Sequence, residues 1–109
     1  MHAFELDELR STRASEGRLY LEFLRSPDLS VGLYELPAGG VDPQNPHDED
    51  EVYYVVSGRA TITVGDEERS VGPGSVVFVA SSVVHRFHDI ADDLVIIVAF
   101  GPAEGSRAG

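Results

Sequence analysis

The sequence predicts an all-β fold, either a sandwich or a closed barrel, and three observations predict it. Runs of β-branched, leucine and aromatic residues recur along the chain, the densest being Val52-Tyr53-Tyr54-Val55-Val56, Val76-Val77-Phe78-Val79 and Leu94 to Phe100. Turn residues interrupt these runs at intervals of roughly 8–12 residues. No stretch demands a helix, and roughly eight or more short strands account for the pattern.

Residues 4–16 are polar and mixed, and Glu5-Leu6-Asp7-Glu8-Leu9-Arg10 reads as weakly helical or as a short edge strand. Leu19 to Leu24 alternates, with Leu19, Leu21 and Phe23 on one face. Ser26-Pro27-Asp28 turns the chain into a second strand, Ser30 to Leu36, which Pro37-Ala38-Gly39-Gly40 stops. The connection from Pro37 to Pro46 is long for a small domain, and such loops are commonly functional or disordered. A strand then runs to a turn at Ser57-Gly58-Arg59. Gly65-Asp66 joins Ala60–Val64 to Glu67–Val71 as a hairpin. Gly72-Pro73-Gly74 opens the strand Ser75–Ala80, and Ser81-Ser82 breaks it before Val83 to His88. Leu94 to Phe100 fits a strand covered on both faces. The expected organisation is an arm or edge strand over 1–17, a barrel domain over 18–101 and a flexible tail over 102–109.

Composition narrows the chemistry. A chain of 109 residues, 42% of them hydrophobic, suits one compact domain with a single core. Without cysteine there are no disulfides, thiolate ligands or cysteine nucleophiles. All eight basic residues are Arg, so Schiff-base chemistry and a P-loop lysine are excluded. A net charge of −11 repels phosphate backbones and anionic lipid surfaces, which argues against nucleic-acid and membrane partners. No apolar run approaches the roughly 20 residues of a spanning helix. The N-terminus lacks a basic region followed by an apolar one, so a cytoplasmic protein is expected.

The chemistry-bearing stretch is Pro43-Gln44-Asn45-Pro46-His47-Asp48-Glu49-Asp50-Glu51, which leads into Val52–Val56. His47 and Glu51 lie four residues apart, a spacing that shares a face on a helix or on a strand. Pro46 and the β-branched run choose the strand. His47, Glu51, Tyr53 and Val55 then look into one interior, and Asn45 has the same parity. Asp48-Glu49-Asp50 lacks the alternation and central glycine of a calcium loop and reads as a solvated rim. His85 opens a later strand with Phe87 on its face, whereas Arg86 and His88 point away. His2 belongs to an arm without a site.

These residues make the chain resemble the cupin family, small β-barrels of jelly-roll type built on a double-stranded β-helix. In the first family motif, Gly40 stands at the head, His47 at the second histidine, Glu51 at the glutamate and Gly58 at the closing glycine. In the second, Gly74, the strand Ser75–Val79 and His85 fit. The resemblance spans Leu29 to Phe100, with only Arg59 to Pro73 between the motifs, as in compact microbial single-domain members. Four positions depart: Asn45 replaces the first histidine, Ala80 a proline, Ser82 a glycine and Asp89 a terminal asparagine.

The resemblance implies a divalent transition metal held by His47, Glu51 and His85, with an amide from Asn45 or Gln44 as a fourth ligand. Two imidazoles and a carboxylate with open positions favour iron and also suit Mn, Ni or Zn. Glu51 is the carboxylate expected to serve in catalysis, while Tyr53 and Phe87 are expected to line an apolar pocket. The expected partner is a small organic molecule, with a dioxygenase (an oxidoreductase), isomerase, cyclase or lyase type of reaction. A non-catalytic binding barrel is the alternative that Asn45 favours. A homodimer is the expected assembly, its N-terminal strands completing a sheet across the pair.

Overall fold

A computed structural model describes residues 1–107, which form one helix and six strands. In order these are α1 (Leu6–Glu16), β1 (Tyr20–Ser26), β2 (Leu29–Leu36), β3 (Asp50–Val64), β4 (Glu67–Val71), β5 (Val76–Val79) and β6 (His85–Gly101). The strands make one antiparallel sheet in the order β1-β2-β6-β3-β4, with β5 also on β3, and it curls into a barrel of jelly-roll type.

Two long strands replace the four short ones expected in their place. β3 runs through Gly58, and β6 runs through Asp89 and Asp92-Asp93. Gly58 is a bulge rather than a turn, with φ of 93° and shifts in the β3–β6 register on either side. A Cβ there would sit 2.2 Å from the Asp93 carbonyl oxygen, so only glycine lets the strands approach this closely. The bulge also switches parity: Glu51, Tyr53 and Val55 are buried before it, Ala60 and Ile62 after it.

The first half of β3 lies between β6 and β5, the second between β6 and β4. The enclosed core includes Leu36, Val55, Ile62, Phe87, Leu94 and Ile96. Leu19, which precedes β1, is exposed, and from β1 it is Tyr20 that packs on the core; a bulge between Glu22 and Leu24 shifts the register farther along.

Residues 6–16 form a helix, and not an edge strand. It has no buried residue and therefore no apolar period to announce it. Asp7 and Glu8 in its first turn and Arg13 in its last complement the helix dipole, and Gly17 closes it at φ 70°. Arg10 and Arg13 hold it to the sheet through Glu35, at 2.9 and 2.7 Å. β1 pairs with β2 of its own chain.

The tail is tied down as far as it is described; positions 108 and 109 lie outside the described residues. Ala103 is buried, and the Glu104 amide donates to Ser30 Oγ at 2.8 Å. Glu49, expected on a solvated rim, is buried, and its carboxylate accepts the backbone N–H groups of Gly105 and Arg107. Backbone donors need partners once water is excluded, and a carboxylate supplies two.

Candidate metal centre

His47 sits on the β2–β3 connection, Glu51 is the second residue of β3 and His85 the first of β6. β3 parity turns Glu51 inward, and the His47 carbonyl accepts the Ser82 backbone N–H at 2.6 Å, which ties the connection to the β5–β6 turn. Ser82 lies in the left-handed region at φ 66°, the conformation a glycine would adopt without strain. One ligand atom from each of His47, Glu51 and His85 falls within 4.8 Å of the others.

His85 Nδ1 lies 2.8 Å from the Val83 carbonyl, which can only accept, so Nδ1 carries a proton and, in the neutral ring, the lone pair is on Nε2. That nitrogen is 2.7 Å from Glu51 Oε1 and 3.3 Å from Gln44 Oε1. Burial opposes a charge on His85. The carboxylate of Glu51, the Val83 carbonyl and Asp42 outweigh it, and the pKa is raised.

Gln44 is oriented by its neighbours. Its Nε2 donates to Asp42 Oδ2 at 2.7 Å, so Oε1 faces inward and accepts the Tyr53 hydroxyl at 2.7 Å. Asp42, buried in turn, accepts the Tyr34 hydroxyl at 2.5 Å and the Phe87 backbone N–H at 2.9 Å. Burial first, then the charge of Glu51, pushes the Tyr53 hydroxyl far above its ordinary pKa and keeps it protonated.

The residues fit a divalent cation. Glu51 is 1% exposed, and its short polar contact is the 2.7 Å approach of Oε1 to the His85 imidazole; no backbone N–H or hydroxyl satisfies its two oxygens. A buried carboxylate whose short contact is a single imidazole is costly, and a cation shared with two imidazoles would reduce the cost.

Residues 32–100, well over half the chain, match the model of the cupin domain. The chain belongs to the cupin family. An uncharacterized protein of Streptomyces coelicolor is 56% identical over 104 residues, covering 95% of this chain and 99% of the relative. Among solved structures, TT1209 of Thermus thermophilus superposes with a TM-score of 0.77 at 23% identity, covering 94% of this chain and 99% of that one. KdgF of a Halomonas species gives 0.69 at 24% identity over 76% of each chain. The DMSP lyase DddQ of Ruegeria pomeroyi gives 0.65 at 27% identity, covering 70% of this cupin and 39% of that chain.

Not every expected site residue is where parity put it. Asn45 is exposed, because residues 41–47 are not a strand and alternation does not carry through them. The neighbouring amide, Gln44, reaches the centre instead. His88 lies on the outer face beside Thr63 and Glu68, and His2 is exposed.

Tyr53 and Phe87 do not line the cavity. They pack edge to face at 5.0 Å in the core, and Tyr53 reaches the centre only through its hydroxyl. The cavity, about 240 Å³, instead abuts His47 and Gln44 and is walled by Tyr20, Tyr34, Val98 and Phe100. Sequence reasoning missed Asp42, Tyr20 and Glu104. Only Asp42 left a signal, as an acid next to Pro43 in a long connection of the kind that is commonly functional or disordered.

Proposed function

We propose that this cupin is a metal-dependent enzyme acting on a small organic molecule, with His47, Glu51 and His85 as ligands and iron as the favoured metal. The observation that carries this reading is Glu51: a buried carboxylate whose oxygens no backbone N–H or hydroxyl satisfies, grouped with two imidazoles whose ligand atoms lie within 4.8 Å of it and of one another. A bound divalent metal would supply Lewis acidity or, as iron, a redox centre, which suits an oxygenase or isomerase type of reaction. The chain's own groups do the rest. Val83 fixes the His85 tautomer, Asp42 aims Gln44, and the cavity beside His47 receives the substrate. Elemental analysis of untagged protein tests the reading: near-stoichiometric metal is expected, lost in His85→Ala and Glu51→Ala and kept in His88→Ala. Wild-type protein that neither purifies with metal nor takes it up would leave the second reading, a non-catalytic binding barrel, which the exposed Asn45 at the first histidine position favours.

The protein is further proposed to act in the cytoplasm as a homodimer. The outer barrel face supports the dimer: Val52, Tyr54, Val76 and Phe78 are all exposed there, and no helix of the described residues is long and apolar enough to cross a membrane.

A further inference from the structure

The cavity beside the centre is polar along one edge only. Its walls are Leu19, Tyr20, Tyr34, Pro43, Val98 and Phe100, and its edge is Gln44, His47 and Glu104. Wall and edge are continuous, since the Phe100 ring meets His47 edge-on at 4.8 Å. At about 240 Å³ the cavity is smaller than the roughly 300 Å³ at which sites for drug-sized ligands begin.

The polar groups of the walls are turned away or already used. The Tyr20 hydroxyl lies against Gly32, where a Cβ would come within 2.1 Å of it, and it is closed off from solvent. Its ring, not its oxygen, is what a ligand meets. The Tyr34 hydroxyl donates to Asp42, and the Leu19 carbonyl accepts the Glu35 N–H at 3.0 Å. Pro43 has no N–H to give. Val98 and Phe100 belong to β6, which pairs with β2 on one side and β3 on the other, so their backbone groups enter the ladders. Even on the edge, Gln44 is engaged at both ends of its amide, by Asp42 and Tyr53.

We propose that this cavity takes a small molecule with an oxygen-bearing group at one end and an unbroken apolar body, a single carbocycle or a branched alkyl chain, and that it rejects polyhydroxylated molecules of the carbohydrate kind. The inference deepens, and rests on, the reading of this centre as a site for a small organic molecule. A hydroxyl brought against these walls leaves water for a surface that cannot pair with it, which weakens binding by about fivefold or more for each one. An apolar body gains by covering the same surface, and its polar end stays at the edge beside His47.

Cyclohexylmethanol and erythritol are both uncharged and match in size, but one carries a single hydroxyl and the other a hydroxyl on every carbon. Each is titrated by NMR against the zinc-loaded and the chelated protein. Cyclohexylmethanol is expected to bind about thirtyfold or more tighter than erythritol in both states, because the preference comes from the walls. Its shift changes are expected at Val98 and Phe100. Leu19→Ser alters a wall position that is exposed, and should weaken cyclohexylmethanol about threefold with an unchanged melting curve. Erythritol binding as tightly as cyclohexylmethanol in either state overturns the proposal. So does cyclohexylmethanol that fails to bind at about 10 mM, that keeps its full affinity in Leu19→Ser, or that shifts the exposed Val76 and Phe78 in place of the cavity. Chelator competition separates the two readings: absent metal binding with the wall preference intact sinks the metal centre alone, and a tight metal site with an erythritol preference sinks only this inference.

Discussion

Gln44 and Asn45 are adjacent amides with opposite surroundings. Gln44 Oε1 is fixed 3.3 Å from His85 Nε2 by bonds to Asp42 and Tyr53, while Asn45 is exposed. Groups that orient a ligand typically contribute 10–100-fold to metal affinity, so Gln44→Ala should weaken binding by about tenfold and Asn45→Ala should leave it unchanged. Competition with a calibrated chelator measures both, and equal losses would remove the special role of Gln44. pH gives a second handle on the same atoms. With its pKa raised in the folded state, His85 stabilises the metal-free fold below its ordinary value near 6.5, and that contribution is lost as pH rises through the folded value. Metal needs the lone pair that the proton occupies, so affinity should rise with pH over the same window. Melting curves at pH 6 and 8, with and without metal, should therefore show opposite trends. At this scale the sequence was legible wherever a strand carried it. Glu51 faces inward because β3 has period two, and His85 because it begins β6. Asn45 was misplaced because the loop before β3 has no period to read, and its geometry is set by Asp42 bonds between residues far apart in sequence.

Among the elements, the number of strands was the harder quantity to read. Gly65 makes the short connection expected of it, yet Gly58 carries the same local signal and lies within a continuous strand. The difference is tertiary: Gly58 sits against Asp93 of β6, and nothing local to residues 57–59 encodes that approach. The helix escaped the opposite way, since α1 buries nothing and is held by ion pairs to Glu35. Gly58 and Gly74 separate backbone strain from steric conflict. Both have φ near +90°, at 93° and 90°, but a Cβ on Gly74 meets nothing within 4 Å. Gly74→Ala should cost about 1 kcal/mol through its left-handed conformation alone. Gly58→Ala adds a clash with backbone that cannot move aside, and should cost about 3 kcal/mol or more. Urea denaturation of the two variants reads the contrast, and similar losses would mean that β3 and β6 can separate at the bulge without penalty.

For the molecule as a whole, the outer face of the barrel sets the last expectation. The register lines up Phe78, Val52, Ala99 and Val31 in one row across β5, β3, β6 and β2, and Val76, Tyr54, Ile97 and Leu33 in the next. Neither row contains a charge, on a chain whose net charge is −11. Two such chains repel one another at long range, so a pair needs a contact surface free of carboxylates, and this face provides one. Val76 and Phe78 are 66% and 60% exposed, so replacing either leaves the enclosed core intact. The proposed homodimer would bury the exposed members of these rows, Val52, Tyr54, Val76 and Phe78, in a self-complementary contact; Leu33 is already buried within the chain. Sedimentation at increasing salt should show tighter association, because screening weakens the repulsion and leaves the apolar term. Phe78→Glu places a carboxylate on each side of the two-fold contact and should shift the protein to monomer, weakening association by about a hundredfold, with little change in melting temperature at low concentration. If the wild-type chain sediments as a monomer at concentrations of about 100 μM, well above a typical specific dissociation constant, this face does not pair with itself.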